Sequence, residues 1–340
     1  MGYTQTEPTE KEQRRVPVTK YWKAIHEALA EEMHRDEDVV LFGEDVGAWG
    51  GAFGVTRGLF DEFGPERILD TPVSETAIAG ATVGAALGGL RPVAEIQFAD
   101  FALIAGDEIF NKAAKWRYMH GSIHRLPLVI RLPNGSVGGA GPEHSQCPEV
   151  MAFHFPGIKV VLPATARDAK GLLKAAIRSD DPVLYFEHKQ LYRVADDVPE
   201  DDEVIPIGSA RLARPGRDAT VVAAGLMVHH VLAVADQLAG LGVDLEVIDL
   251  RSLVPWDRES VLASVSRTGR LVTVEESVRQ GGWGAEVAAT VVEEAFDAIE
   301  APPLRIGGEG VPIPVSPPLE ERVVPTVDRV AARIRGWLGV

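Results

Sequence analysis

Residues 158–188 read IKVVLPATARDAKGLLKAAIRSDDPVLYFEH: one apolar run, a helical stretch, and a second apolar run in immediate succession. The two apolar runs are short enough for strands, and ARDAKGLLKAAI between them carries its apolar residues at helical spacing. A strand that is apolar throughout, rather than on alternate residues, is buried on both faces. That pattern implies a parallel sheet covered by helices on each side.

The same alternation runs outward in both directions. Upstream, Trp22, Ile25, Leu29 and Met33 recur at three- and four-residue spacing and predict a helix, and VVLF at 39–42 predicts a buried strand. A Gly/Ala-rich helix after Glu75, a strand in PVAEIQF (92–98), a helical stretch over 100–119 and a strand in LPLVIRLP (126–133) follow. Downstream, VADDVPEDDEVIPIG (194–208) is acidic, proline-bearing and without helical period, which marks a domain boundary. Beyond it a smaller α/β unit is expected from ATVVAAG, VDLEVIDL and RLVTVEE, each followed by a helical stretch. The fold class is therefore α/β, with two parallel-sheet, three-layer domains over 18–200 and 201–340. Residues 1–17 are polar and charged and read as a disordered tail.

Composition narrows the function. At 340 residues and 46% hydrophobic, the chain can bury two real cores, and no apolar run is long enough to span a bilayer. A cytoplasmic protein without a membrane role is expected. The single cysteine, Cys147, excludes a disulfide framework and any thiolate metal cluster. A net charge of −16 argues against nucleic acid as a partner and suits a soluble protein or one that meets a basic partner.

Common catalytic signatures are missing. There is no G-x-x-x-x-G-K-[ST], no H-E-x-x-H and no G-x-S-x-G, and neither GAWGGAFG nor RQGGWGAE has dinucleotide spacing. RQGGWGAE reads as a tight turn into a helix, and His229 with His230 as surface or packing residues. What remains is Glu44, Glu75 and Glu95 near strand ends, and His144 in GPEHSQC. In a parallel sheet ligands gather at the carboxyl ends of strands, so these groups can converge. Glu75 stands out because it heads the small, apolar TAIAGATVGAALGG, where a carboxylate carried into the interior needs either a partner or a job. For His144 the alternative is a loop histidine capped by Ser145 or Gln146.

DTPVSETAIAG, EIQFADF, NKAAKWRYMHG, PEHSQCPE, PGIKVVLP, DAKGLLKAAIR and IDLRSLVPWD, in this order and spacing, resemble the β subunit of the thiamine-diphosphate-dependent 2-oxo acid dehydrogenases, from about residue 17 to the C-terminus. The resemblance implies a transketolase-like pyrimidine-binding domain followed by a transketolase C-terminal domain. It implies that Glu75 bonds the N1′ nitrogen of the thiamine aminopyrimidine and trades a proton with it. Val73 and Gln97 would line the aminopyrimidine pocket, with core packing as the alternative for Val73 and for Phe101, which would stack on the ring. His144 would sit over the thiazolium and assist acyl transfer to a lipoyl group. Glu44 and Glu95 match acids of a polar tunnel between paired active sites, or are structural. Backbone carbonyls of Leu128, Ala176, Ser179 and Asp181 match a monovalent-cation site, occupied by K+ in some relatives.

The family's Gly-Asp-Gly motif, which holds the cofactor's diphosphate through Mg2+, occurs nowhere in this sequence. The resemblance assigns it to an α subunit, giving an α2β2 heterotetramer. A dihydrolipoyl acyltransferase is the second implied partner, docking where this chain has Glu300 and the terminal carboxylate of Val340. Gln97, HSQCPE and IDLRSLVPWD resemble the branched-chain type, with pyruvate or acetoin dehydrogenases as alternatives. Two departures, Ala77 where glycine is frequent and Glu143 beside His144, leave room for a rival reading as a non-catalytic β-like scaffold.

Overall fold

The computed structural model describes residues 16–340; the tail expected over 1–17 lies outside the described residues except for its last two. The first unit runs β1 (Val18–Lys20), α1 (Tyr21–Arg35), β2 (Val39–Gly43), α2 (Leu59–Phe63), β3 (Ile68–Asp70), α3 (Glu75–Leu87), β4 (Arg91–Glu95), α4 (Trp116–Met119), β5 (Val129–Asn134), α5 (Glu149–His154), β6 (Lys159–Val161), α6 (Ala166–Arg178), β7 (Val183–His188) and β8 (Ala195–Asp197). The second runs β9 (Arg211–Arg214), β10 (Ala219–Ala223), α7 (Leu226–Ala239), β11 (Leu245–Asp249), β12 (Ser252–Val254), α8 (Arg258–Thr268), β13 (Leu271–Val278), α9 (Trp283–Glu294), β14 (Leu304–Gly308), α10 (Pro317–Val323) and α11 (Val327–Leu338).

Two mostly parallel sheets result. One has the order β12-β6-β7-β5-β4-β2-β3, the other β14-β13-β10-β11-β9, with β12 and β9 antiparallel to their neighbours. The doubly apolar runs of the sequence are the central strands: every residue of β5, β7, β10 and β11 is buried. α6 starts where Thr165 accepts the N–H of Asp168 at 3.1 Å. It then packs so deeply that Lys170 and Lys174 are buried and reach Glu31 on α1.

One expectation is corrected, and two segments make long-range pairings. The helix expected over 100–119 is broken into a 3-10 turn (99–103), a π-type turn (107–113) and α4. Asp100 turns its carboxylate inward to accept the N–H of Gln146, and the Thr76 hydroxyl donates to the Ile104 carbonyl, so one carbonyl that a straight helix would use is engaged elsewhere. The acidic 194–208 segment, read as a domain boundary, carries β8, which returns to pair with β1, and Ile205, which is buried against Gly171. Finally, IDLRSLVPWD does not stay within the second unit. Its β12 crosses to extend the first sheet beside β6, and Arg251 bonds the buried Asp168 of α6 at 2.6 Å.

The two units therefore share a core. One apolar cluster runs from Tyr21 and Leu29 of α1 through Leu172 and Tyr185 to Val221 and Val231 of the second unit. No helix among the described residues is long and apolar enough to cross a membrane.

Candidate active site

Strands β4, β2 and β3 are adjacent and end level with one another, Gly43 standing opposite both Asp70 and Glu95. The chain thus leaves the sheet at one edge three times: at Glu44, at 71–75, and at 96–97. Asp70 accepts the N–H groups of Gly47 and Ala48, at 2.6 and 3.3 Å, which fastens the loop after Glu44 to the segment leading to Glu75.

Glu75 is the first residue of α3. The sequence led us to expect it in the interior; it lies half-buried at the rim, and its carboxylate has no hydrogen bond or ion pair among the described residues. Val73 is 80% exposed, which rules out core packing for it. Glu44, by contrast, is 8% exposed. Burial, with the nearby carboxylates of Glu75 and Asp45, pushes its pKa up.

Gln97 and Phe101 leave β4 toward the same rim, both half-buried, and Gln97 has no side-chain hydrogen bond among the described residues. His144 meets them from the loop after β5. Its ring lies edge-on to Phe98 at 4.7 Å and to Phe101 at 5.4 Å between centroids. Lys189, just past β7, donates its ammonium to the His144 carbonyl and sits 5.1 Å from the Phe98 centroid. Neither expected cap is found among the described residues: the Ser145 hydroxyl is buried with no hydrogen-bond partner there, and the Gln146 N–H is committed to Asp100. The loop leaves β5 through Gly135 at φ +81°, where a Cβ would stand 2.0 Å from His188 Nε2, so only glycine passes. Val73, Glu75, Gln97, Phe101 and His144 thus come to one edge, while Glu95 does not open onto it.

Glu95 is locked below the rim. Arg131, fully buried, donates to Glu95 at 2.5 Å and makes a two-point contact with Glu187 at 2.6 and 2.9 Å; Tyr192 hydrogen-bonds Glu187 at 2.9 Å. Burial raises the pKa of Glu95 against the pull of Arg131, and the two carboxylates raise that of Arg131 further. Sequence reasoning passed over Arg131, Glu187, Phe98 and Lys189. A lone arginine in the otherwise apolar LPLVIRLP was the one available signal.

The carbonyls named for a monovalent cation lie together but all accept protein donors. Val183 N–H donates to Leu128, Ser179 N–H to Ala176, Arg91 Nη1 to Ser179 at 3.2 Å, and the Ser179 hydroxyl to Asp181. At the other end of the molecule Glu300 and Val340 are both exposed, and Trp337 Nε1 donates to Pro302 O, holding the C-terminal helix to the segment after Glu300. His229 and His230 each hydrogen-bond a backbone carbonyl, of Ala164 and Pro325, and are packing residues.

Three further acids meet where the units join. Burial pushes Glu149 up to about 8 and Glu275 up to about 7, whereas His188, 2.7 Å from Glu276, holds that acid at about 2. Glu149 and Glu275 hold protons in the folded state that the unfolded chain releases. Their support for the fold is complete below the ordinary value of 4.5 and is lost as the pH climbs through 7 and 8. Glu149→Gln is therefore expected to leave stability nearly unchanged at pH 4.5 and to raise it by on the order of 2–4 kcal/mol at pH 8–9. Guanidinium unfolding at both pH values checks this, and an equal effect at each would refute it.

The architecture and the rim place the chain among two-domain proteins of transketolase type: residues 18–195 match the transketolase pyrimidine-binding domain and 208–330 the transketolase C-terminal domain. A split-gene transketolase, an inactive β4 tetramer, superimposes with a TM-score of 0.76 at 25% identity, covering 94% of this chain and 98% of that one. The pyruvate dehydrogenase E1 component subunit beta of Rhizobium meliloti is 46% identical over 92% of this chain and 68% of its own length. The 2-oxoisovalerate dehydrogenase subunit beta of Bacillus subtilis is 44% identical over 94% and 98%. This chain belongs to the β-subunit family of the thiamine-diphosphate-dependent 2-oxo acid dehydrogenases.

Proposed function

We propose that the chain is the β half of an α2β2 2-oxo acid dehydrogenase that decarboxylates a branched-chain 2-oxo acid and passes the acyl group to a lipoyl group. The observation that carries the reading is the rim: an unpartnered carboxylate (Glu75) and an unpartnered amide (Gln97) beside exposed Val73, half-buried Phe101 and the ring of His144. Polar groups left without partners beside apolar ones suit a flat heterocycle with nitrogen donors and acceptors, such as an aminopyrimidine.

When bound, thiamine diphosphate supplies the electron sink that lets a 2-oxo acid lose CO2. Glu75 holds and returns a proton at its carboxyl oxygens, Phe101 supplies the stacking face, and Gln97 orients the ring. His144, steadied by Phe98 and Lys189, offers a ring nitrogen for proton transfer during acyl transfer. Glu44 is poised as a proton reservoir behind Glu75. Mg2+ and the diphosphate fall to the α subunit, because this chain lacks Gly-Asp-Gly. α3 suits that contact: Ala77, Ala81 and Gly84 form an exposed stripe that lets another backbone approach closely. K+ at Leu128, Ala176, Ser179 and Asp181 would share those carbonyls with the donors already present. The acyltransferase is proposed to dock at Glu300 and Val340, in keeping with a domain order of 18–200 and 201–340 and a cytoplasmic location.

Branched-chain preference rests on the resemblance of Gln97 and its flanking motifs. The test is co-expression with its candidate α subunit, followed by dye reduction with thiamine diphosphate and Mg2+. Turnover on 3-methyl-2-oxobutanoate is expected to exceed that on pyruvate and acetoin. A cofactor-loaded heterotetramer inert to all three would overturn the substrate assignment and turn attention to Glu143 and the scaffold reading, and a preference for pyruvate or acetoin would reassign the substrate.

A further inference from the structure

Outside the rim, one cavity combines charge and shape in a way the reaction does not use. Strands β13 and β14 run parallel and end side by side, Val278 opposite Gly308, with α11 packed alongside. A cavity of about 280 Å³ opens there, lined by four arginines: Arg279 just past β13, Arg305 in β14, and Arg329 and Arg333 one turn apart on α11.

A single carboxylate, Glu309, lines the same cavity, and Arg329 already engages it. Arg279, Arg305 and Arg333 have no carboxylate partner among the described residues. Arg305 Nε is buried without a hydrogen bond among the described residues, and its Nη2 donates to the backbone carbonyl of Arg279. Glu275 also acts on Arg305, but burial lifts its pKa to about 7, so it offsets only part of one charge near neutrality. The floor is tight: a Cβ on Gly307 would lie 2.9 Å from Arg279 Cα.

Two guanidinium groups without a carboxylate partner, Arg279 and Arg333, and a third, Arg305, only partly offset by Glu275, repel one another around one concavity, and concave low-dielectric walls concentrate their field. This occurs in a chain whose net charge is −16, so a general excess of surface arginine does not account for it. The geometry points to a binding site for a small multivalent oxyanion, the phosphate or diphosphate group of a metabolite, at the carboxyl ends of the second sheet. Guanidinium forks match phosphate oxygens two at a time. The volume lies just below the range of about 300–1,000 Å³ usual for drug-sized ligands, which fits a diphosphate group better than a whole nucleotide. Carboxyl ends of parallel strands are also where ligands of such folds collect.

The test is isothermal titration of the full-length chain, without its α subunit, with inorganic pyrophosphate and with orthophosphate at roughly 150 mM salt. Without Gly-Asp-Gly the chain has no other diphosphate cradle by the reading above. One saturable site is expected, tighter for pyrophosphate, and weakened at least about tenfold in Arg279→Gln and in Arg333→Gln. Both of these arginines are exposed, so the variants are expected to fold as wild type, and thermal unfolding verifies it. Absence of saturable binding, or equal affinity in wild type and both variants, would overturn the inference. So would variants that bind pyrophosphate normally but assemble poorly with the α subunit, because the pocket would then be a protein-docking surface.

Discussion

Glu75→Ala in the assembled α/β enzyme is expected to lower 2-oxo acid-dependent turnover by about 10²–10⁴-fold, the usual contribution of a positioned proton-transfer group. The fold should barely notice. Glu75 is half-buried at the first position of α3 and has no partner among the described residues, so its structural contribution is the interaction of one carboxylate with a helix N-terminus, about 0.3–1 kcal/mol. The two effects separate the alternatives cleanly. Glu75→Gln keeps the size and a hydrogen bond but cannot give up a proton, so it should retain cofactor affinity better than Glu75→Ala while losing comparable turnover. If both variants kept turnover within about tenfold of wild type, Glu75 would be a helix-end acid only, and the proton-transfer role proposed for it would have to be abandoned. A secondary readout is Glu44. It is buried against Glu75, which contributes to its raised pKa, so in Glu75→Ala its titration should move back toward the ordinary carboxylate range.

What could be read from the chain in advance divides along a physical line. Buried parallel strands announce themselves because both faces must be apolar, and KVV, VLYFEH and LEVID sit where such runs place them. α1 is visible through its period, with Ile25, Leu29 and Met33 all buried. Glu75 and His144 could be picked out as groups near strand ends, but Val73, Gln97 and Phe101 were legible only through motif resemblance, since the meeting of all five depends on the level ends of β4, β2 and β3 and on a loop from β5. Long-range pairings were invisible for the same reason. β8 pairs with β1 across most of the first unit, and β12 leaves its own unit for β6, although nothing in ADD or SLV specifies a partner. The expected burial of Glu75 failed because a small, apolar helix was taken to be internal throughout. Ala77, Ala81 and Gly84 are exposed in this chain, and the subunit-interface reading accounts for small residues on that face.

Arg131→Met is expected to destabilise the chain by about 3–5 kcal/mol. Arg131 joins three neighbouring strands: it lies opposite Glu95 in the β4–β5 pairing, and its guanidinium reaches Glu187 on β7. All three side chains are essentially removed from solvent. Methionine fills much of the same volume, so the loss is one of charge balance rather than of packing. It leaves two buried carboxylates without a counter-charge, and at least one must then take up a proton on folding. The penalty consequently depends on pH in a defined direction. It should be greatest near pH 8, where the unfolded chain carries both acids ionised and must recapture protons. It should shrink as the pH falls toward 4–5, where the unfolded acids are themselves partly protonated. Adding Glu95→Gln and Glu187→Gln removes the stranded charges and should recover much of the loss, since a buried ion network replaced as a whole costs far less than one that is broken. Urea unfolding of wild type, Arg131→Met and the triple variant across pH 4.5–8.5 decides the matter: wild-type stability in Arg131→Met, or a loss independent of pH, would show that the network is not what holds the ends of β4, β5 and β7 together. The rim depends on it, because Gln97 and Phe98 leave the sheet immediately after Glu95. A chain loosened at Arg131 should therefore lose activity even where it remains folded.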